Sequence, residues 1–323
     1  MSLFNQYFSL GFIGLGAMGK PMVTNLVLAV EPGAQVYVHD IATSVVEDLV
    51  GAHSGTIVGC ASAKEVAEKA DIVLTMLPEG AHVKSVYLDP QSGIAAALSG
   101  SSSKLLIDSS TIDTASSLHV KAELGKIAPE VLFYDAPVSG GVLGAEKGTV
   151  AFFVGCSSSD PKFPLLKELL RAMGSKVIPC GGPSLGLAAK LSNNYLSGII
   201  TIACSEAMDM GMRAGIDAEV LASVFAAGTA QNTICDVFNP VPGVCPNAPP
   251  SKGYQGGFRV QLMRKDIGLA VDMARRVGSR NVLGATGLGV YAAASEASDC
   301  KNLDSRVVYR YLGGKEDWRV KKE

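Results

Sequence analysis

The chain has 323 residues, of which 48% are hydrophobic and 18% charged, with a formal net charge of −2. That length allows two domains with a sizeable core, and the composition is that of a globular rather than a disordered protein. A near-neutral balance without a long basic or acidic run argues against nucleic-acid or membrane-surface partners, which select concentrated positive patches.

Short apolar runs at 10–13, 35–39, 71–76, 104–108, 131–135, 150–154 and 176–178 read as strands. Most are continuous rather than alternating, as a parallel sheet covered on both faces requires. Helical stretches such as 20–29, 44–49, 62–69 and 161–172 lie between them, and this alternation predicts a doubly wound α/β domain. After about Gly182 the strands disappear. Residues 187–214 read as one long helix, apolar over much of its surface and expected to lie buried between domains, with Gly198 and Gly211 as its weak points. Further helices are expected at 218–227, 262–276 and 283–298, with a Pro/Gly-rich loop at 239–257. The boundary is placed near 183–186, dividing a dinucleotide-binding domain (1–183) from a second domain (184–323).

The segment GFIGLGAMG (11–19) follows the first strand and opens the first helix, which is the setting a G-x-G-x-x-G fingerprint needs. Gly14 permits the tight turn, Gly16 lets a pyrophosphate approach the backbone, and Gly19 lets helix and strand pack closely. The helix start adds unpaired N–H groups and a positive partial charge. The second strand ends in VHD (38–40). An acid there, about 20 residues past the glycines, accepts hydrogen bonds from the adenosine ribose and repels a 2′-phosphate. NAD is therefore expected over NADP; the alternative is that Asp40 only caps the next turn. The strand ends LTMLP (74–78) and DSST (108–111) are plausible walls of the same crevice.

In DAPVSGG (135–141), a serine hydroxyl beside two glycines makes a nest suited to a substrate carboxylate. A loop that merely needs positive φ reads the same way. In GLAAKLSNN (186–194), Lys190 and Asn194 stand one helical turn apart on one face. A buried lysine has its pKa lowered toward the range useful for proton transfer, so Lys190 is the candidate acid/base and Asn194 the candidate orienting group. A snorkelling surface lysine is the alternative. Lys265 can reach an anionic ligand while Asp266 pairs with it or caps the helix, although spacing alone reads them as an ordinary solvated pair; His82 and Arg264 read as structural.

The seven cysteines are scattered without a C-x-x-C pair, and the four histidines show no zinc-ligand spacing. Free thiols in a reducing compartment and no metal are expected. No apolar run reaches bilayer length, so no membrane span is expected. The opening residues MSLFNQYFSL are too few for a transit peptide and lack its basic face. A cytosolic protein, or one whose targeting segment has been removed, follows.

Taken in this order, the pieces resemble the β-hydroxyacid dehydrogenase family, from Gly11 to about Leu312. DSSTID (108–113), DAPVSGG (135–141), NPVPG (239–243), YQGGF (254–258) and LMRKD (262–266) carry the resemblance. It implies a Rossmann-type sheet followed by an all-helical C-terminal domain, joined by the long interdomain helix, and NAD-dependent oxidation of a short 3-hydroxy acid. It further implies Lys190 as the catalytic residue, assisted by Asn194, with Ser139, Gly140 and Gly141 on the substrate carboxylate. The cofactor contacts fall on Gly14, Leu15, Gly16, Ala17, Met18, Gly19, Asp40, Leu77, Pro78, His82, Thr111 and Lys265. Self-association through the helical domain, as a dimer or tetramer, and a mitochondrial location for a eukaryotic member are also implied. A sister branch reducing tartronate semialdehyde or glyoxylate, and a catalytically silent scaffold, are the competing readings. Such silent relatives lose the helix lysine, which this chain keeps. Cys245 and the proline-rich stretch after it depart from the family's expected loop.

Overall fold

A computed structural model describes residues 9–98 and 103–319. The chain packs as two units, Met1–Lys190 and Leu191–Glu323.

The first unit is organised by strands, the central ones buried on both faces. They are β1 (Leu10–Ile13), β2 (Val36–His39), β3 (Ile57–Gly59), β4 (Ile72–Thr75), β5 (Leu105–Asp108) and β6 (Leu132–Asp135). The sheet order is β3-β2-β1-β4-β5-β6 and every pairing is parallel. Side chains alternate between two apolar cores. Leu10 and Phe12 of β1, Ile72 and Leu74 of β4, and Leu105 and Ile107 of β5 enter one. Ile13, Val73, Leu106 and Phe133 enter the other. Between the strands run α1 (Gly19–Ala29), α2 (Thr43–Ala52), α3 (Ala63–Lys69), α4 (Gly80–Leu88) and α5 (Thr114–Ile127). The doubly wound sheet expected from the strand–helix alternation is therefore present, and its order reverses between β1 and β4, where such sheets bind ligands.

Two expected strands leave it. A second sheet has the order β7-β8-β9, from β7 (Val138–Ser139), β8 (Val150–Val154) and β9 (Gly174–Pro179). β7 and β8 pair antiparallel because only the short α6 (Gly141–Glu146) joins them, too little chain for a parallel crossover. α7 (Phe163–Arg171) leads from β8 to β9, which pair in parallel.

α8 (Leu185–Arg213) is a single 29-residue helix whose first turns belong to the first unit. In the second unit follow α9 (Ala218–Ala227), α10 (Thr233–Val237), α11 (Val260–Arg276), α12 (Gly284–Glu296) and the short α13 (Val308–Tyr311). Among its described residues, extended pairing is confined to the isolated bridge Arg259–Asp304. One core gathers Ile202, Tyr254, Met263, Ile267 and Tyr291, and another gathers Met208, Leu221, Ile234 and Tyr309. The loop at 239–257 is tied down from within: the Tyr254 hydroxyl donates to the Pro240 carbonyl at 3.0 Å. No helix among the described residues is long and apolar enough to cross a membrane, and none of their His, Cys, Asp and Glu side chains cluster as a metal site.

Candidate functional site

At the reversal point, the turn after β1 is shaped by close backbone approach. Gly14 has φ +93° and donates its N–H to the His39 carbonyl at 3.0 Å. A Cβ on Gly14 would overlap the Met76 carbonyl and meet the Leu77 side chain at 3.0 Å; one on Gly19 would overlap the Gly14 carbonyl. Gly16 differs, because a Cβ there would meet nothing within 4 Å. Gly16 and Ala17 are exposed, Met18 is half-buried and Leu15 is buried. α1 starts without a side-chain cap and without an acid in its first turn. Its orphan N–H groups and dipole thus face an open, glycine-lined surface, which fits an anionic diphosphate.

Asp40 closes the turn from the end of β2. Its Oδ2 accepts the Leu15 N–H at 2.6 Å and its Oδ1 accepts the Ala42 N–H at 2.8 Å. The turn-capping alternative thus describes part of what Asp40 does, yet the same bonds hold a carboxylate beside the glycine turn.

The ends of β4 and β5 are joined by a buried polar relay. Thr75 Oγ1 donates to Asp108 Oδ1 at 2.8 Å, and Ser110 Oγ donates to the same oxygen at 2.5 Å. Ser110 Oγ in turn accepts the Leu77 N–H at 2.8 Å. This fixes Leu77 beside the glycine turn and Thr111 next to the relay. Pro78 and His82 are exposed, before α4 and in its first turn. Asp108 is fully buried, and its Oδ2 finds no hydrogen-bond partner among the described residues. Burial pushes its pKa up from 3.8 to about 6, against the pull of the Ser110 and Thr75 hydrogen bonds. A carboxyl raised on folding stabilises the fold fully below its unfolded pKa, and that contribution is lost as pH rises through 6. The stability of the wild type relative to Asp108→Asn should accordingly fall by about 1–2 kcal/mol between pH 5 and pH 8. Urea unfolding of both proteins at the two pH values checks this, and parallel pH dependences would exclude it.

Gly140 and Gly141 have φ +144° and +64°, so the loop after β7 does require positive φ. A Cβ on Gly141 would meet nothing within 4 Å, and Ser139 is half-buried. The nest therefore keeps an open side. Lys190 lies in the second turn of α8 and is 6% exposed, which removes the surface-snorkelling alternative.

In the second unit, Asn194 is buried and donates its Nδ2 to Asp266 Oδ2 at 2.6 Å, while its Oδ1 accepts from Asn193 Nδ2 at 3.1 Å. Asp266 is 1% exposed and pairs with Lys265 Nζ at 3.2 Å. It sits in the second turn of α11, so it is an ion-pair and orienting group rather than a helix cap. Arg264 pairs with Glu296 at the surface, as its structural reading implies.

Sequence reasoning missed the Thr75–Asp108–Ser110 relay and the hold of Asp266 on Asn194. The first had a signal, since an acid ending a wholly apolar strand is costly unless bonded. The second joins residues far apart in the chain and left no local trace.

Two sequence families match. Residues 9–182 match the family described as the NAD binding domain of 6-phosphogluconate dehydrogenase. Residues 185–312 match the one described as the NAD-binding region of NADP-dependent 3-hydroxyisobutyrate dehydrogenase. The chain is 40% identical to a probable mitochondrial 3-hydroxyisobutyrate dehydrogenase of Dictyostelium discoideum, over 94% of this chain and 90% of that one. It is 38% identical to the 3-hydroxyisobutyrate dehydrogenase of Pseudomonas aeruginosa, over 95% and 99% of the two chains. A solved Mycobacterium tuberculosis 3-hydroxyisobutyrate dehydrogenase with L-serine superposes with a TM-score of 0.84 at 35% identity, covering 95% of this chain and 99% of that one.

Proposed function

Because the chain belongs to the β-hydroxyacid dehydrogenase family and carries its NAD-binding domain, we propose that it oxidises 3-hydroxyisobutyrate to methylmalonate semialdehyde. The observation that carries the mechanism is a lysine buried at 6% exposure in the second turn of α8.

When bound, nicotinamide supplies the hydride acceptor. The Lys190 amine takes the hydroxyl proton of the substrate as the C–H bond breaks, and in reduction its ammonium returns that proton to the carbonyl oxygen. Asn194, one turn further along the same helix with one N–H committed to Asp266, orients that oxygen. Ser139 Oγ and the N–H groups of Gly140 and Gly141 hold the substrate carboxylate. Gly14, Leu15, Gly16, Ala17, Met18 and Gly19 hold the diphosphate, and Leu77, Pro78, His82 and Thr111 flank the cofactor. Lys265 supplies a cation for it.

Asp40 supports NAD over NADP. A carboxylate held by two backbone N–H groups at the end of β2 repels a 2′-phosphate, whereas one relative family is described as NADP-dependent. Initial rates with 3-hydroxyisobutyrate, L-serine, glycerate and 6-phosphogluconate, each with NAD and NADP, test both points. The largest kcat/KM should be for 3-hydroxyisobutyrate with NAD, and Asp40→Ala should narrow the preference by at least about tenfold, or 1.4 kcal/mol. A larger rate with another acid moves the enzyme to a sister branch, and a preference for NADP removes the role given to Asp40. Close analogues will react too, since one methyl in an apolar pocket discriminates by only about 1–3 kcal/mol.

Self-association as a dimer or tetramer is supported by exposed apolar side chains of the helical unit, Leu196 and Met210 on α8 and Val220 and Val224 on α9. A monomer by light scattering would refute it. For a eukaryotic source we place the enzyme in the mitochondrial matrix, following the Dictyostelium relative, and otherwise in the cytoplasm; cell fractionation decides between them.

A further inference from the structure

β6 ends on Asp135, a carboxylate that the proposed chemistry leaves without a role. It is 2% exposed. Its Oδ1 accepts the Ser184 N–H at 2.7 Å and its Oδ2 accepts the Leu187 N–H at 2.9 Å. Ser184 immediately precedes α8 and Leu187 is the third residue of that helix. A helix start ordinarily finds its acceptor in a neighbouring Ser, Thr, Asp or Asn. Here the acceptor comes from a strand far back in the chain.

Three further features fit this arrangement. A Cβ on Gly155 would overlap Asp135 Oδ1, and one on Gly186 would stand 2.8 Å from Oδ2 and overlap the Phe153 carbonyl. Ser184 is held at φ +67°, a conformation unfavourable for serine, and its Oγ donates to the Thr114 carbonyl at 3.1 Å. Asp135 also stands opposite Asp108 in the sheet register, so the buried relay of β5 and the helix start meet across one strand pair. Such a carboxylate restrains both the axial position and the rotation of the first turn of α8. Lys190 lies three residues beyond Leu187 on the same side of the helix, and Ser139 lies four residues beyond Asp135.

We propose that Asp135 is a positioning residue: one side chain fixes the start of the helix that carries Lys190 to the strand that leads into the Ser139–Gly141 loop. The inference rests on the acid/base reading of Lys190. Asp135 touches no reacting atom and acts by holding the proton-transfer group and the carboxylate nest in one register. The titratable groups facing it are Asp108 on β5 and the thiols of Cys156 and Cys180. Burial pushes the Asp135 carboxyl up, and the Leu187 and Ser184 N–H groups oppose that rise.

The test compares Asp135→Asn, Lys190→Ala and the double variant. Asp135→Asn keeps the shape and one acceptor but presents an N–H to one of the two amides. Its kcat should fall by about 10- to 100-fold, the size expected of a misplaced catalytic group, with NAD affinity within about twofold of wild type. In the Lys190→Ala background, Asp135→Asn should cause no further loss. An unchanged kcat, a matching loss of NAD affinity or a full additional loss in the double variant would overturn the proposal. Wild-type activity in Lys190→Ala would instead overturn the reading of Lys190, so the two failures are distinct. Should Asp135→Asn not fold, Gly155→Ala displaces the carboxylate while keeping its charge. A lowered kcat at unchanged NAD affinity then supports the proposal, and an unchanged kcat overturns it.

Discussion

Replacing Lys190 with alanine should lower kcat by about 10²- to 10⁴-fold while NAD binding stays close to wild type. The side chain is 6% exposed, so removing it deletes a buried group from the unit that carries the glycine turn without touching that turn. Because Lys190 is assigned a step that occurs as the C–H bond breaks, kcat and kcat/KM should fall together. Added small amines should restore part of the rate, since they can enter the vacated space and accept the proton. The measurements are steady-state kinetics, NAD titration by fluorescence, and the pH profile. A variant with an unaltered rate would remove Lys190 from the mechanism, and one that lost NAD binding in parallel would recast it as structural.

The glycine turn makes a second large prediction, in the form of a contrast. Gly19→Ala drives a Cβ into the Gly14 carbonyl, which is backbone and cannot swing aside. A core overpacked by one carbon loses about 1–3 kcal/mol, and this site should lie at or above the upper end. Gly16→Ala meets no protein atom within 4 Å and should leave thermal stability unchanged. It should nonetheless weaken NAD binding at least about tenfold, or 1.4 kcal/mol, because the added methyl occupies the surface that the diphosphate approaches. Thermal unfolding with and without NAD separates the effects. Equal destabilisation by both substitutions, or unimpaired binding in Gly16→Ala, would refute the division of labour within the turn.

The parts of this fold that were readable in the sequence are those where one face of the chain decides the outcome. β1 and β8 fall on their predicted runs, and β2, β4, β5 and β6 differ by a residue at one or both ends; in β1, β4 and β5 two-sided burial leaves continuous apolar strings, while β2 and β8 alternate buried with half-buried positions. The 62–69 and 218–227 helices were likewise local, and the structure starts them at Ala63 and Ala218. β3 escaped notice because an edge strand of three residues buries only Ile57 fully. β7 was invisible for another reason. Two residues pair only because β8 returns beside them, and no periodicity can register that. In the candidate site, the glycine turn and Asp40 announced themselves through spacing, and Lys190 through a cation set in an apolar helix. What Asp135 and Asp266 hold depends on partners about 50 and about 70 residues away, so their environment existed only once the chain had folded.

The sheet order also has a bearing on how the first unit is assembled and kept. Leu10 pairs with Val36 on one side and with Ile72 on the other, so the central seam joins strands much further apart in the chain than their neighbours. Closing that longer loop comes at greater entropic expense and favours late formation of the seam. The glycine turn sits on this seam, its backbone pressed against Met76 at the end of β4. A nucleotide bound there recognises only a chain whose two halves have already met, and at one hundred times its dissociation constant it stabilises that state by about 2.7 kcal/mol. Saturation with nucleotide should therefore make the seam open less often, and limited proteolysis with and without NAD reads this as slower cleavage.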